Sequence, residues 1–380
     1  MAATDSYAGG DGRLSPLSTP SATRAVLEAH GIGTKYTLGQ NFLVNDDVLK
    51  KIIALAEVGE NDRVLEVGPG IGTLTIALLK HAASVIAIER DPDLPAVLAD
   101  TLHPWREKFA LIEKDALDVT RDDIVAAMVE IGGDTGYPDR ASSAANETAQ
   151  WAVSQSEDCL SESGYPVAPP QEDLQLSLPS KLVANLPYAV AATVVLDYFE
   201  NFPFMDSATI MVQKEVADRM AAAVGTKNYG AYTVKLGLYA EPAGRFAVGP
   251  GNFFPPPRVD SAVIRLNRRV PLMADGAPAS PEVIAAAALM ADAAFTNRRK
   301  TIANSCKTYF SGRGPILLGV ADSSAAEGAP TIALPDGAAT AERLPAIFEA
   351  AAIDPRRRGE TLTQQEFLAL GAALLRVTAA

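Results

Sequence analysis

The chain has 380 residues, 48% of them hydrophobic and 21% charged, and a formal net charge of −13. That balance excludes an intrinsically disordered chain, and the length suggests two or three domains, at roughly one per 150 residues. Two cysteines and three scattered histidines (His30, His81, His103) exclude a disulfide framework and a Cys- or His-based metal centre. Together with the lack of a visible signal peptide or membrane-length apolar run, they predict a cytoplasmic, metal-free protein.

The negative charge argues against a nucleic-acid partner, but its distribution does not. Residues 121–180 hold eleven acids and two arginines, which accounts for nine of the thirteen net negative charges. Thr296 to Phe310 carries Arg298, Arg299, Lys300 and Lys307 with no acid, so basic patches remain available.

Along the chain, residues 1–20 are rich in Gly, Ser and Pro and read as a loose tail. Helical periodicity begins near Ala22 and stops at His30-Gly31. A second helix is predicted from Asp46 to Glu57, with Asn45 as N-cap. An alternation follows: strands Arg63–Val67, Ser84–Ile88, Phe109–Glu113, Lys181–Ala184 and Ala208–Gln213, separated by helices Gly72–His81, Asp93–Leu102, Thr120–Ile131 and Val190–Phe199. Strands alternating with helices imply βαβ units and a buried parallel sheet. Two low-complexity segments, Gly132 to Ser180 and Ser311 to Thr340, read as surface insertions, the first disordered. From Ser280 the chain turns helical. Ser280-Pro281 starts a helix with Ile284, Ala288, Ala291 and Phe295 on one face. Another helix lies near Glu342–Ala352, and Thr363-x-x-Glu366 is a capping box for the last. The fold class is therefore α/β, with helices on both faces of the sheet, plus a small all-helical C-terminal domain that begins near residues 270–280.

The chemistry sits at strand ends. Glu66-Val67-Gly68-Pro69-Gly70-Ile71-Gly72 follows the first strand of the alternation and precedes a helix, so its glycines permit a tight turn and close ligand approach. A dinucleotide fingerprint would place Gly where this chain has Thr73. Glu-x-Gly-x-Gly instead matches the class I S-adenosylmethionine (SAM) methyltransferase pattern. Glu89 ends the next strand, where a carboxylate accepts both ribose hydroxyls of an adenosine ligand. Asp115 ends the third and can receive the adenine amino group; the alternative is an Asp that caps the next turn.

Asn185-Leu186-Pro187-Tyr188 ends the fourth strand and resembles the catalytic motif of amino-group methyltransferases that act on adenine N6 or its relatives. An exocyclic adenine amine is a poor nucleophile, because its lone pair is delocalised into the ring. The Asn185 side-chain oxygen and the Leu186 carbonyl can hold its two hydrogens and favour a tetrahedral nitrogen. Pro187 stiffens the turn. Tyr188 offers a face on which the base stacks, worth roughly 1–3 kcal/mol.

With these motifs in order, the chain resembles the KsgA family of small-subunit rRNA adenine-N6 dimethyltransferases. The resemblance runs from about Lys35 to Val270 and from Ser280 to about Leu374, outside the two insertions. It also rests on Leu38-Gly39-Gln40-Asn41-Phe42-Leu43, Gln213-Lys214-Glu215-Val216, Tyr229-Gly230, Phe253-x-Pro255-x-Pro257-x-Val259-x-Ser261, Ala294-Phe295-x-x-Arg298-Arg299-Lys300-Thr301 and Ile353-Asp354-Pro355-x-x-Arg358.

The family implies a Rossmann-like mixed sheet and SAM as cofactor. Asn41, Leu43, Gly68, Gly70, Glu89, Asp115 and Asn185 would hold that cofactor. Asn185, Leu186, Pro187 and Tyr188 would be catalytic, with Phe253 across the base from Tyr188. Residues 21–275 would form the catalytic domain and 276–380 an RNA-binding domain that contacts phosphates through Arg298, Arg299 and Lys300. The partner would be small-subunit rRNA in an immature 30S particle, met by a monomer, and the product two adjacent dimethylated adenines in a hairpin near the rRNA 3′ end. Ala184 and Ala189 depart from the Gly and polar residue frequent beside the motif, and only Lys35 supplies charge before Leu38. Three rival readings share parts of the pattern: a large-subunit rRNA methyltransferase of the antibiotic-resistance type, a DNA adenine methyltransferase, and an assembly factor that acts mainly by binding.

Overall fold

The structure, a computed structural model, describes residues 12–33, 40–131, 178–319 and 331–379. Its centre is a seven-stranded sheet in the order β4-β3-β2-β5-β6-β9-β7. These strands are β2 (Arg63–Val67), β3 (Ser84–Ile88), β4 (Phe109–Ile112), β5 (Lys181–Asn185), β6 (Ser207–Gln213), β7 (Ala240–Val248) and β9 (Ser261–Arg268). β4, β3, β2, β5 and β6 run parallel, and β9 is antiparallel between β6 and β7. β3 is buried along its whole length and β2, β5 and β6 except at one or both ends, which is why they read as largely apolar runs, whereas the edge strand β4 alternates half-buried and buried positions.

Strand alternation divides the core in two. Leu65, Ile86 and Leu182 pack with α5 (Arg121–Glu130) and α6 (Ala191–Asn201). Val64, Val85 and Val183 face the other way, toward α2 (Asp46–Ala56), α3 (Thr73–Leu79) and α4 (Pro95–Thr101). The sheet thus carries helices on both faces.

Capping explains the helix starts. Asn45 Oδ1 accepts from the Asp47 and Val48 amides, and Thr120 and Asp123 form a reciprocal capping box. The tail differs from its expectation. Leu17 is buried, and the Leu14 and Ser15 amides donate to Asp46 Oδ1 at 2.8 and 3.2 Å. Thr19 then caps α1 (Pro20–Ala29). A single carboxylate at the start of α2 therefore docks residues that composition marks as loose; residues 1–11 lie outside the described ones. Of the expected insertion 132–180, residues 132–177 lie outside as well, whereas Leu178 belongs to the core.

After β6 come α7 (Lys214–Met220) and α8 (Ala231–Gly237), then the β7–β9 pair. Two residues of β1 (Phe42–Leu43) pair with two of β8 (Phe253–Phe254), Leu43 opposite Phe253.

The C-terminal helices are α9 (Pro281–Phe295), α10 (Ile302–Ser311), α11 (Gly337–Ala350) and α12 (Gln364–Ala379). Ser280 caps α9, and Thr363 with Glu366 caps α12. The buried face of α9 is Ala286, Ala287, Met290, Ala291, Ala293 and Ala294, whereas the expected Ile284, Ala288 and Phe295 are half-buried. Small residues let neighbours close in: a Cβ at Gly371 of α12 would lie 2.6 Å from the Ala287 nitrogen. The region is helical with one addition. Part of 311–340 forms a two-stranded antiparallel ribbon, β10 (Ile316–Gly319) and β11 (Thr331–Leu334), and its end starts α11. Residues 320–330 lie outside the described ones.

The helical region packs back on α8. Tyr229 is buried, and its hydroxyl donates to the Leu362 carbonyl at 2.8 Å, which accounts for the Tyr229-Gly230 signature. Among the described residues no helix is long and apolar enough to cross a membrane, and no group of three His, Cys, Asp or Glu could hold a metal.

Candidate active site

A cavity of about 510 Å³ opens along the C-terminal ends of the parallel strands. Ligands in open α/β sheets bind at this edge. Sheet order sets the order along the cavity: Asp115 after β4, Glu89 after β3, Gly68 after β2, then Asn185 at the end of β5. The strand-end residues singled out in the sequence therefore line one continuous wall, with Asn41 and Leu43 facing them.

The turn after β2 needs its glycines. Gly68, Gly70 and Gly72 have φ of +72°, +60° and +89°. A Cβ at Gly70 would also meet the Phe42 ring at 3.0 Å, so the N-terminal signature packs directly on the turn.

Glu89 is fixed by its own chain. Its Oε1 accepts from the Arg90 and Asp91 amides, each at 2.9 Å. Burial raises its pKa, and these amides with that of Gly70 oppose the rise. Asp115 takes on two tasks: Oδ1 caps the next turn through the Leu117 amide, and Oδ2 accepts from Arg90 Nη1 at 2.8 Å. Arg90 holds its carboxyl below the usual range, so it remains an acceptor.

Glu66 is the most unusual group. It lines the cavity, is only 1% exposed, and its Oε2 lacks a hydrogen-bond partner among the described residues. Burial pushes its pKa up to about 8; the Thr75 hydroxyl offsets this in part, and the charge of Glu89 adds to it. A buried carboxyl with one oxygen unpartnered, beside a glycine cradle, fits a ligand with a positive charge. With ribose and adenine acceptors at Glu89 and Asp115, the residues suit an adenosine-bearing cation such as SAM.

The catalytic motif closes the other end. Asn185 Nδ2 donates to the Asn41 carbonyl at 3.1 Å, and the Leu186 amide donates to the Met211 carbonyl at 3.1 Å. Tyr188 is half-buried, and its hydroxyl lies 2.6 Å from Ser261 Oγ.

Phe253 is not brought into the cavity. Only 4% exposed, it packs with Leu43, Met211, Val248 and Val263. Its main chain pairs with Leu43, and neighbouring Asn252 accepts from the Val44 amide and the Asn45 side chain at 2.8 and 2.7 Å. Phe253 thus supports the N-terminal signature from behind as a core aromatic.

The basic cluster divides. Arg298 Nη2 donates to the Lys227 and Tyr229 carbonyls, each at 2.9 Å, and lies 3.5 Å from Glu360. It clasps the helical region to the segment before α8. Arg299 and Lys300 are exposed in the turn before α10, and Lys300 shares a shallow depression with Lys307 and Asn304.

Sequence reasoning gave no role to Gln40, Arg90 or Gln213, which also line the cavity. Gln40 Nε2 donates to Asp91 Oδ2 at 2.8 Å, tying the N-terminal signature to the strand end that carries Glu89. Gln40 and Gln213 lie in quoted signatures, and Arg90 follows Glu89; position beside a motif was the available signal.

Comparison with known proteins agrees with this architecture. Residues 33–329 match the family described as Ribosomal RNA adenine dimethylase. A protein of Geobacillus sp. (strain WCH70) named Ribosomal RNA small subunit methyltransferase A is 32% identical over 361 residues, covering 95% of this chain and 98% of the relative. A protein of the same name from Staphylococcus aureus (strain Newman) is 32% identical, covering 93% and 94%. Among solved structures, a dimethyladenosine transferase from Plasmodium falciparum superimposes with a TM-score of 0.53 at 20% identity, covering 87% of this chain and 95% of that one, which supports the shared fold.

Proposed function

Because the chain belongs to the ribosomal RNA adenine dimethylase family, we propose that it methylates N6 of two adjacent adenines in a hairpin near the 3′ end of small-subunit rRNA. Each adenine would receive two methyls, with SAM as donor. The observation that carries this reading is the lining of one cavity by Asn185-Leu186-Pro187-Tyr188 together with Gly68, Glu89 and Asp115.

When bound, SAM supplies a sulfonium methyl open to in-line displacement. Glu89 accepts the ribose hydroxyls, Asp115 the adenine amino group, and Glu66 faces the charged amino-acid end. Gly68 and Gly70 let the ligand approach the main chain, and Asn41 and Leu43 cover it. The reaction moves positive charge from donor to amine without creating any, so orientation provides much of the rate, worth roughly 7–11 kcal/mol.

The target adenine lies beyond Asn185 and stacks on Tyr188. Asn185 Oδ1 and the Leu186 carbonyl accept its two N–H groups, which draws the lone pair out of the ring. The proton leaves after transfer, to water or a carbonyl, and no side chain is assigned as its base. After the first methyl, one N–H remains, so the second transfer keeps one of the two acceptors. The base must leave its stack to reach the cavity, which favours a single-stranded loop.

Arg298, Arg299 and Lys300, joined by Lys307, are the cations assigned to rRNA phosphates in an immature 30S particle; Arg298 would reach a phosphate with the nitrogens that do not hold the Lys227 and Tyr229 carbonyls. A cytoplasmic monomer is part of the same reading. The relatives' names support the small subunit over the large. The test is Asn185→Ala: methyl transfer is lost while particle binding is retained. Transfer at the wild-type rate would overturn the site assignment.

A further inference from the structure

We infer that Ser261 is a positioning residue for the target base, acting through the hydroxyl of Tyr188. The inference rests on the reading of Tyr188 as the surface on which that base stacks.

Ser261 opens β9 and is fully buried. It is held on both sides, opposite Gln213 of β6 and Val248 of β7. A residue locked between two strands is a rigid anchor. Tyr188, by contrast, sits on a turn outside regular structure and is half-buried. The 2.6 Å contact between Tyr188 Oη and Ser261 Oγ links the two, and either hydroxyl can donate. Stacking depends on where the ring stands and how its plane is turned. A hydrogen bond at its far end fixes the direction of the ring by holding χ1, and because the phenol O–H prefers to lie in the ring plane it also biases the plane. The Phe253 to Ser261 stretch thus reaches the site at its last residue; its first, Phe253, remains in the core.

A merely structural role would satisfy a half-buried phenol and leave transfer untouched. Four proteins separate the two roles: wild type, Ser261→Ala, Tyr188→Phe and the double variant. Tyr188→Phe keeps the ring and leaves Ser261 in place, so the comparison survives if Ser261→Ala folds poorly. Each single variant should lower kcat/KM for the RNA about tenfold, the worth of one hydrogen bond of ordinary strength. The double variant should lose no more than either single. SAM affinity should be unchanged throughout. Each single leaves one hydroxyl unpaired, so thermal stability should fall in the singles and recover in the double. Transfer should not recover with it.

Single variants with wild-type kcat/KM, losses that multiply in the double variant, or transfer that recovers along with stability would each overturn the inference. A wild-type protein that puts no methyl on adenine would overturn the functional reading, and this inference with it. An active wild type with unaffected singles overturns the inference alone.

Discussion

The Asn185 side chain and the Asn41 main chain meet across the cavity: Nδ2 of the first donates to the carbonyl of the second at 3.1 Å. An amide has one donor end and one acceptor end. Committing the nitrogen to Asn41 leaves the oxygen as the acceptor for an incoming N–H, and it ties the N-terminal signature to the catalytic motif.

This relationship predicts more than loss of function in Asn185→Ala. Asn185→Asp keeps an oxygen but sets a carboxylate against the Asn41 carbonyl, two acceptors with no proton between them. Single-turnover transfer should fall by about 10²–10³ in Asn185→Asp, the scale for loss of one preorganised polar group, and to background in Asn185→Ala. Filter binding of RNA should be unchanged. An Asn185→Asp variant within tenfold of wild type would show that the amide orientation is irrelevant.

Glu66 predicts a pH dependence. Burial raises its pKa to about 8, from an ordinary value of 4.5. The native protein therefore keeps a proton that the unfolded chain releases. The resulting stability is fully present below about pH 4.5 and is lost as pH rises through about 8. Glu66→Gln fixes the neutral form. In ligand-free protein, the variant's advantage over wild type in urea unfolding should grow between pH 5 and 8.5 to about 2 kcal/mol or more. A constant difference across that range would contradict the assignment. SAM affinity of the wild type should rise over the same interval, because a cationic ligand favours the ionised carboxyl, and this rise should vanish in Glu66→Gln.

Glu89 and Asp115 should differ in their effect on SAM affinity. Glu89 is buried and held by two amides, whereas Asp115 is about one-third exposed and already paired with Arg90. Glu89→Ala should weaken SAM binding by about 30- to 100-fold, and Asp115→Ala by less than about tenfold. Isothermal titration calorimetry measures both. Unchanged affinity in Glu89→Ala would remove its ribose role.

Arg268 should matter for stability alone. Its guanidinium donates to the carbonyls of Met205, Phe199 and Phe202 at 2.5, 3.0 and 2.8 Å and covers the Phe199 ring at 5.2 Å. It thereby satisfies carbonyls at the end of α6 that the helix cannot. Arg268→Lys cannot reproduce the planar fork and should cost about 2–3 kcal/mol in chemical denaturation, with SAM affinity unchanged.

The sheet and the site were legible in the sequence for one physical reason. β3 is buried on both faces and so writes a continuous apolar run, β2 does so apart from Arg63 and Glu66, and the strand ends place polar residues where ligands bind. Asn45, Ser280 and Thr363 were legible because a cap is a local hydrogen bond. What escaped was decided by distant partners. β7 is an edge strand of exposed and charged residues that includes Pro242 and Gly244, and no periodicity marks it. For Arg298 the sequence offered a phosphate contact and no hint that its Nη2 also holds the Lys227 and Tyr229 carbonyls, some seventy positions away. Phe253 read as a base clamp, but the pairing of Leu43 with it closes the core over its ring. Leu14 and Ser15 read as tail because nothing local announces that Asp46 will hold their amides.

The most direct test of the whole account is mass mapping of small-subunit rRNA after immature 30S particles are incubated with purified protein and methyl-labelled SAM. The account predicts dimethylated N6 on two adjacent adenines in one hairpin near the 3′ end, and none with Asn185→Ala. Particles that stay unmodified with wild-type protein, or label found only in large-subunit rRNA, would contradict it.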